Sequence, residues 1–131
     1  MTPDAAITAA LMTRTETLPY ALLVPSKGGE EPSGEYIEAR QIPNASTRVY
    51  LDSGEPITRM GIFQLTLCSV PGQYEIVYRE RAGQIAEAFR VDYLPAIDGV
   101  TVQIVKADVG QGFADGQHWR VPVSVYYMAR A

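Results

Sequence analysis

Residues 57–70, ITRMGIFQLTLCSV, decide the fold more than any other stretch of the chain. Side chains two apart in a β-strand share a face. This alternation gives two sets, one with Gly61, Phe63, Leu65 and Leu67 and the other with Met60, Ile62, Gln64, Thr66 and Cys68. Because both sets contain large apolar side chains, the stretch predicts a central strand, or a strand whose outer face meets another subunit.

Two helices are predicted on either side of this strand. Thr2-Pro3-Asp4 offers an N-cap hydroxyl, a proline in the first turn and an acid beside the positive end of the helix dipole. Pro19 is expected to end that helix. Apolar residues recur at helical spacing over residues 73–90, which predicts the second helix. Gly83 in its interior costs about 1 kcal/mol relative to alanine, which close packing against the sheet would offset.

Further strands are predicted at residues 20–24, 35–42, 100–106 and 119–128, where short runs are apolar or alternate in polarity. Pro122 lies in the last of these and has no N–H to donate, so that strand is expected to be an edge or to carry a bulge there. Residues 27–34 are predicted to form an exposed polar loop. The glycine-rich residues 108–118 are predicted to form a hairpin connection. Residues 43–56 are either a long loop or a protruding hairpin.

The order of these elements is helix, two strands, a long excursion, strand, helix and two strands. It predicts one domain over residues 1–131 with an α+β fold. The expected architecture is a mostly antiparallel sheet of about four to six strands with both helices packed on one face. A central parallel βαβ unit around the second helix is the alternative.

The amino-acid composition excludes several classes of function. The 131 residues carry a net charge of −4 and a single cysteine. A lone cysteine excludes an internal disulfide framework and a cysteine-rich zinc site. The acidic balance argues against a general nucleic-acid binder. The apolar run 5–12 follows an acid where a secretory signal has basic residues, and no stretch reaches the length of a membrane span, so we expect no membrane partner and a location in the cytoplasm of the cell that makes the chain.

No catalytic, cofactor-binding or metal-binding residue is predicted. His118 is the only histidine, which excludes a histidine metal cluster, and a hydrogen-bonding role in a loop or interface is favoured for it. Cys68 lies within a strand, where a thiol is normally a small apolar filler. The glycines of residues 110–116 lead into a strand, whereas a phosphate-binding loop leads into a helix. The aspartates of the two loops near the C-terminus have no metal-loop spacing.

Tyrosine and arginine are the unusual part of the composition. The chain has eight tyrosines, and Lys27 and Lys106 are the only lysines among its eleven basic residues. Tyrosine and arginine are enriched in protein–protein contacts, and arginine tolerates partial desolvation better than lysine does. A GC-rich genome would produce the same arginine bias and is the alternative explanation.

Four stretches together resemble one family of small tailed-phage proteins, the tail terminator (tail completion) proteins. They are Arg59-Met60-Gly61-Ile62-Phe63-Gln64-Leu65, Ala86-Glu87-Ala88-Phe89, Asp98-Gly99-Val100-Thr101-Val102 and the closing Trp119-Arg120-Val121-Pro122-Val123-Ser124-Val125-Tyr126-Tyr127. The resemblance implies a sheet flanked by helices, assembling as a homohexameric ring on the head-proximal end of the tail tube. Such a ring stops tube polymerisation and offers a surface to the head connector, without catalysis or a cofactor.

The leading hypothesis is therefore a ring-forming structural protein of the virion. Its expected partners are copies of itself, the tail tube protein and the head–tail connector protein, with DNA passing through the lumen without specific binding. Contacts are predicted at Glu30, Glu31, Arg48, Tyr50, Arg59, His118 and Trp119. The alternatives are a head–tail connector or adaptor ring, a small-molecule-binding domain or minor enzyme that uses the aspartate-rich loops, and a monomeric regulatory module.

Overall fold

The structure, a computed structural model, describes residues 1–43 and 57–130. Two helices, α1 and α2, span Pro3–Thr15 and Glu75–Phe89, and a short 3₁₀ helix spans Pro25–Lys27. Strands β1 to β6 are Ala21–Leu23, Tyr36–Pro43, Thr58–Ser69, Gln103–Val109, Phe113–Asp115 and His118–Arg130. The fold is α+β, as predicted. Most of the excursion predicted after residue 43, with Arg48 and Tyr50, lies outside the described residues.

The six strands form one open, mostly antiparallel sheet in the order β1-β2-β3-β6-β4, with β5 also paired to β6. Its parallel pair is β1 with β2. Helix α2 connects β3 to β4, and β6 lies between those two strands. Because β3 and β4 are both antiparallel to β6, they run parallel to each other. The parallel βαβ unit around the second helix is therefore present in split form, with β6 inserted between its two strands.

Strand β3 is central, paired on one side with β2 and on the other with β6. On one face of the sheet, the side chains of β2, β3 and β6 are buried, and they include Phe63, Leu65, Leu67, Ala39, Val121, Val123 and Val125. We call this the core face. The opposite set, which we call the outer face, comprises Tyr36, Glu38, Arg40 and Ile42 of β2, Met60, Ile62, Gln64, Thr66 and Cys68 of β3, and Arg120, Pro122, Ser124, Tyr126 and Met128 of β6.

Both helices contribute to the core. The ring of Phe89 in α2 lies 6.2 Å from the ring of Phe63 on the core face. The Thr8 hydroxyl of α1 donates to the side chain of Gln41, which is opposite Phe63 in the β2–β3 register. Arg14 of α1 donates to the Ala88 carbonyl of α2 at 2.6 Å. These contacts support packing of both helices on one face, which stays a prediction.

Pro122 does not mark an edge, contrary to the sequence expectation, because β6 lies between β3 and β4. The β3–β6 register also runs through Pro122 without a shift, and the irregularity lies instead in β4, between Ile104 and Lys106. The Pro122 carbonyl accepts from the Gly110 N–H at 2.7 Å. The N–H and C=O of one strand residue point to the same side, so the missing N–H faces the break between β4 and β5. The proline therefore costs the central ladder nothing.

Other boundaries shift by a few residues. The first helix ends at Thr15, four residues before Pro19. The predicted 108–118 connection contains the end of β4 and all of β5, which closes a hairpin with β6 through Gly116 at a φ of 60°. A Cβ added at Gly83 would meet nothing within 4 Å. Close packing is therefore not the reason for that glycine, contrary to the sequence interpretation.

Candidate functional site

The predicted residues Glu31 and His118 come together at the end of the sheet where β6 begins. The Tyr36 hydroxyl donates to the Glu31 carboxylate. His118 Nδ1 lies 3.7 Å from the same carboxylate, and its ring meets the Tyr36 ring edge-on at 5.5 Å. Glu30 is exposed in the same loop. This contact holds the acidic loop against the sheet.

An arginine that the sequence analysis did not select lies beside this group on the outer face. The Nη1 atom of Arg120 donates to Glu38 Oε2 at 3.1 Å and to Cys68 Sγ at 3.1 Å. Its Nε atom is 2.7 Å from Asp115 Oδ2, an ion pair without hydrogen-bond geometry. The Arg120 and Glu38 side chains are only 17% and 19% exposed. Arg120 is therefore the centre of a partly buried ionic cluster.

Tyr36 and Cys68 are the fully buried members of this cluster. Burial raises the pKa of Cys68, against the opposing effects of the Tyr36 hydrogen bond and the Arg120 charge. The thiol is therefore protonated at neutral pH and is a poor nucleophile, which supports its predicted role as a filler. Burial and then the hydrogen bond to Glu31 raise the pKa of Tyr36.

The raised pKa of Tyr36 predicts a loss of stability in alkali. Above about pH 10 the tyrosine ionises in the unfolded chain while Tyr36 in the folded chain stays protonated. The free energy of unfolding should then fall by up to about 1.4 kcal/mol per pH unit on this account. Tyr36→Phe should remove that part of the slope, measured by urea unfolding between pH 9 and 11. Tyr93→Phe, at a 61% exposed tyrosine, is the control, and equal slopes in both variants would contradict the prediction.

Arg59 lies at the other end of β3, where it connects the sheet to α1. Its Nε atom donates to Asp4 Oδ1 at 3.1 Å, and its side chain is 16% exposed. The neighbouring Gln41 side chain donates to the Tyr127 hydroxyl at 2.9 Å. Arg59 thus has a contact within the subunit, and its role in an interface stays a prediction.

Reversing the charge at Arg59 tests which role dominates. Arg59→Glu would place two carboxylates together, and we expect it to lower the free energy of unfolding by about 1–2 kcal/mol. Arg130→Glu, at the exposed end of β6, is the matched charge reversal and should change stability little. Thermal unfolding followed by circular dichroism measures both. Equal stability of the two variants would contradict a stabilising role of Arg59 within the subunit.

Trp119 points to the core face, away from His118. Its ring stacks on Tyr78 of α2 at 5.8 Å and 29°. Its Nε1 atom is buried, without a hydrogen-bond partner among the described residues. A Cβ added at Gly112 would lie 2.6 Å from that atom, so the β4–β5 connection passes directly over the indole. The structure gives Trp119 a packing contact, and its predicted interface role stays untested.

The end of the outer face away from Arg120 carries several apolar side chains that are partly exposed. Ile42 is 43% exposed and Met60 is 37% exposed, while Ile62, Tyr126 and Met128 are half-buried. The Lys106 ammonium lies 4.5 Å from the centre of the Tyr126 ring. Exposed apolar surface of this kind is typical of contact surfaces between proteins.

Fold and surface together define a class: a small α+β domain whose open sheet carries an apolar, ion-paired outer face. Among residues 1–43 and 57–130, no group of three or more His, Cys, Asp or Glu side chains could hold a metal ion. No helix in that part of the chain is long and apolar enough to cross a membrane.

Comparison with known proteins gives the family. The family model described as phage tail terminator protein matches residues 5–127, and the chain belongs to this family. One solved structure is 20% identical in sequence to this chain, and the match covers 100% of this chain and 97% of the chain in that structure. Its TM-score of 0.76 shows that the two chains share a fold. No curated protein matches the chain. As a member of a structural family of phage tails, the protein has its place in the virion.

Proposed function

We propose that this protein forms a ring, a homohexamer, at the head-proximal end of the tail tube. The ring ends polymerisation of the tube and then provides the surface to which the head connector binds. Its partners are other copies of the chain, the tube protein and the connector, and assembly takes place in the host cytoplasm. The observation that carries the proposal is the family match over residues 5–127.

The surface of the subunit supports a role in assembly. A ring subunit that also binds the tube and the connector requires contact surfaces in addition to those that join it to its own copies. The outer face offers apolar side chains near Met60 and an ionic cluster around Arg120 at the opposite end of the same strands. One subunit therefore carries two chemically distinct surfaces.

The chemistry of the described residues supports action by binding alone, without catalysis. The buried thiol of Cys68 is held protonated by its surroundings. His118 contacts Tyr36 and Glu31, and the Tyr36 hydroxyl is engaged with Glu31. A histidine activates a nucleophile only when a hydroxyl or thiol is within its reach, and this hydroxyl is already used.

Phage particles that lack the protein test the proposal. We expect tails of abnormal length that do not join heads, because nothing ends the tube, and electron microscopy measures both properties. Expression of the protein from a plasmid should restore normal tails. Tails of normal length attached to heads would overturn the proposal, and tails of normal length without heads would favour the connector alternative.

Light scattering of the purified protein should give six times the 14.4 kDa chain mass.

A further inference from the structure

The direction of each backbone group in the sheet follows from Pro122. Its carbonyl points to Gly110 on the β4 side, so Thr66, opposite it in β3, directs its own N–H and C=O towards β2. Opposite residues of an antiparallel pair alternate between hydrogen-bonded and non-hydrogen-bonded pairs. Because the backbone groups of Thr66 point to β2, Thr66 and the opposite residue Glu38 form a hydrogen-bonded pair, and the N–H and C=O of Glu38 point to β3. The odd-numbered residues of β2 face away from β3.

Among the described residues, the part of β2 that follows Glu38 therefore has no neighbouring strand on the side away from β3. Strand β1 ends at Leu23, which is opposite Glu38. Beyond that point the backbone N–H and C=O of Gln41 face outward, and no group within the described residues bonds to either. The Pro43 carbonyl faces the same way, and the proline has no N–H to offer.

The far side of the sheet has a second open edge, at the end of β4. There the Ile104 N–H donates to the Asp92 carbonyl at 3.0 Å, so the connection before β4 covers the first part of the strand. The Ala107 carbonyl accepts from Arg90 Nη2 at 3.0 Å. The Ala107 N–H and both backbone groups of Val109 have no partner among the residues that the structure describes.

These two edges are complementary in one register. With Gln41 of one copy opposite Val109 of another in antiparallel pairing, the two residues exchange two backbone hydrogen bonds. Pro43 then lies opposite Ala107, whose N–H donates to the Pro43 carbonyl. The N–H that proline lacks would have met the Ala107 carbonyl, which Arg90 already occupies. The register leaves no backbone group of these four residues without a partner.

Side chains agree with the same register. Opposite residues in a sheet share a face, and Gln41 and Val109 both belong to the core face, through Phe63 and Val123. On the outer face, Ile42 of one copy lies opposite Asp108 of the next copy. Arg40, two residues before Ile42, lies diagonally across from the same Asp108. The Arg40 side chain is 59% exposed and that of Asp108 is 55% exposed. Their opposite charges would attract across the junction.

We propose that neighbouring copies of this chain join by strand addition, with the β2 edge of one copy pairing with the β4 edge of the next. The inference rests on the proposed ring and specifies its subunit contact. Because the two edges differ and lie at opposite sides of one sheet, the contact is head-to-tail, the kind of contact from which a cyclic ring is built. The sheets of all subunits then form one continuous band.

A designed disulfide tests the register. Ile42 and Asp108 would form a non-hydrogen-bonded pair, whose Cα atoms lie about 4.5 Å apart, within reach of a disulfide. The double variant Ile42→Cys with Asp108→Cys should give a ladder of covalent oligomers on a non-reducing gel after mild oxidation. Each single variant mixed with the other should stop at dimers. The native Cys68 is fully buried, so the unmodified chain should give no ladder.

The matched control moves one cysteine by two residues along the same face, as Ile42→Cys with Lys106→Cys. That pair lies on the diagonal beyond disulfide length, and we expect it to cross-link weakly. Light scattering of both double variants separates the two hypotheses. Oligomers that cross-link no better than the control would overturn the strand-addition register while the ring stands. A monomer at every concentration would overturn the ring, and the register with it.

Discussion

Replacing Gly61 by alanine is expected to lower the free energy of unfolding by about 3 kcal/mol. A Cβ at this position would lie 2.6 Å from the Ile42 carbonyl oxygen, 2.6 Å from the Tyr127 hydroxyl and 2.9 Å from the Pro43 Cα. Two of these three atoms are backbone, so no rotamer change relieves the contact. Strand β2 would have to move away from β3 at Pro43, the last residue of the strand.

Gly83→Ala is the matched control for this prediction, with the opposite sign. The same methyl group is added, but nothing lies within 4 Å of it, and Gly83 is inside α2. We expect stabilisation by about 1 kcal/mol, because alanine loses less backbone entropy in a helix than glycine does. Urea unfolding followed by circular dichroism measures both variants. Two losses of equal size would contradict the packing argument at Gly61.

The sequence predicts best where a pattern is local. The alternation over residues 57–70 contains the whole reason for a two-faced strand, and β3 is indeed central with one face buried. Pro122 shows the limit of local rules. The rule that proline marks an edge concerns one side of a strand, and only the sheet topology reveals that its missing N–H faces the break between β4 and β5.

The ionic cluster could not be predicted because it is assembled by register. Glu38, Cys68 and Arg120 lie far apart in the chain and meet only because three strands align side by side. The alternation in each strand already placed each of these residues opposite the buried set. The missing information was the pairing of the strands, which a single sequence does not contain. Glu31 and His118 were selected for other reasons, and their contact through Tyr36 depends on the same alignment.

Replacing Arg120 by leucine should be the most damaging change on the outer face, lowering the free energy of unfolding by about 3 kcal/mol. The change leaves the Glu38 carboxylate, which is 19% exposed, without the Nη1 hydrogen bond. Glu38 retains a contact with Arg40 at 3.3 Å, but the Arg40 side chain is 59% exposed and its pairing is screened by solvent. Thermal and urea unfolding at neutral pH measure the loss.

The double variant Arg120→Leu with Glu38→Leu shows whether that loss comes from the unpaired charge or from the shape of the cluster. A partly buried ion pair loses much of its attraction to desolvation, so its replacement by two apolar side chains is often close to neutral. We therefore expect the double variant to recover most of the stability lost in Arg120→Leu. A double variant that is as unstable as the single one would show that the guanidinium acts through its contacts with Cys68 and Asp115, because those contacts are absent from both variants.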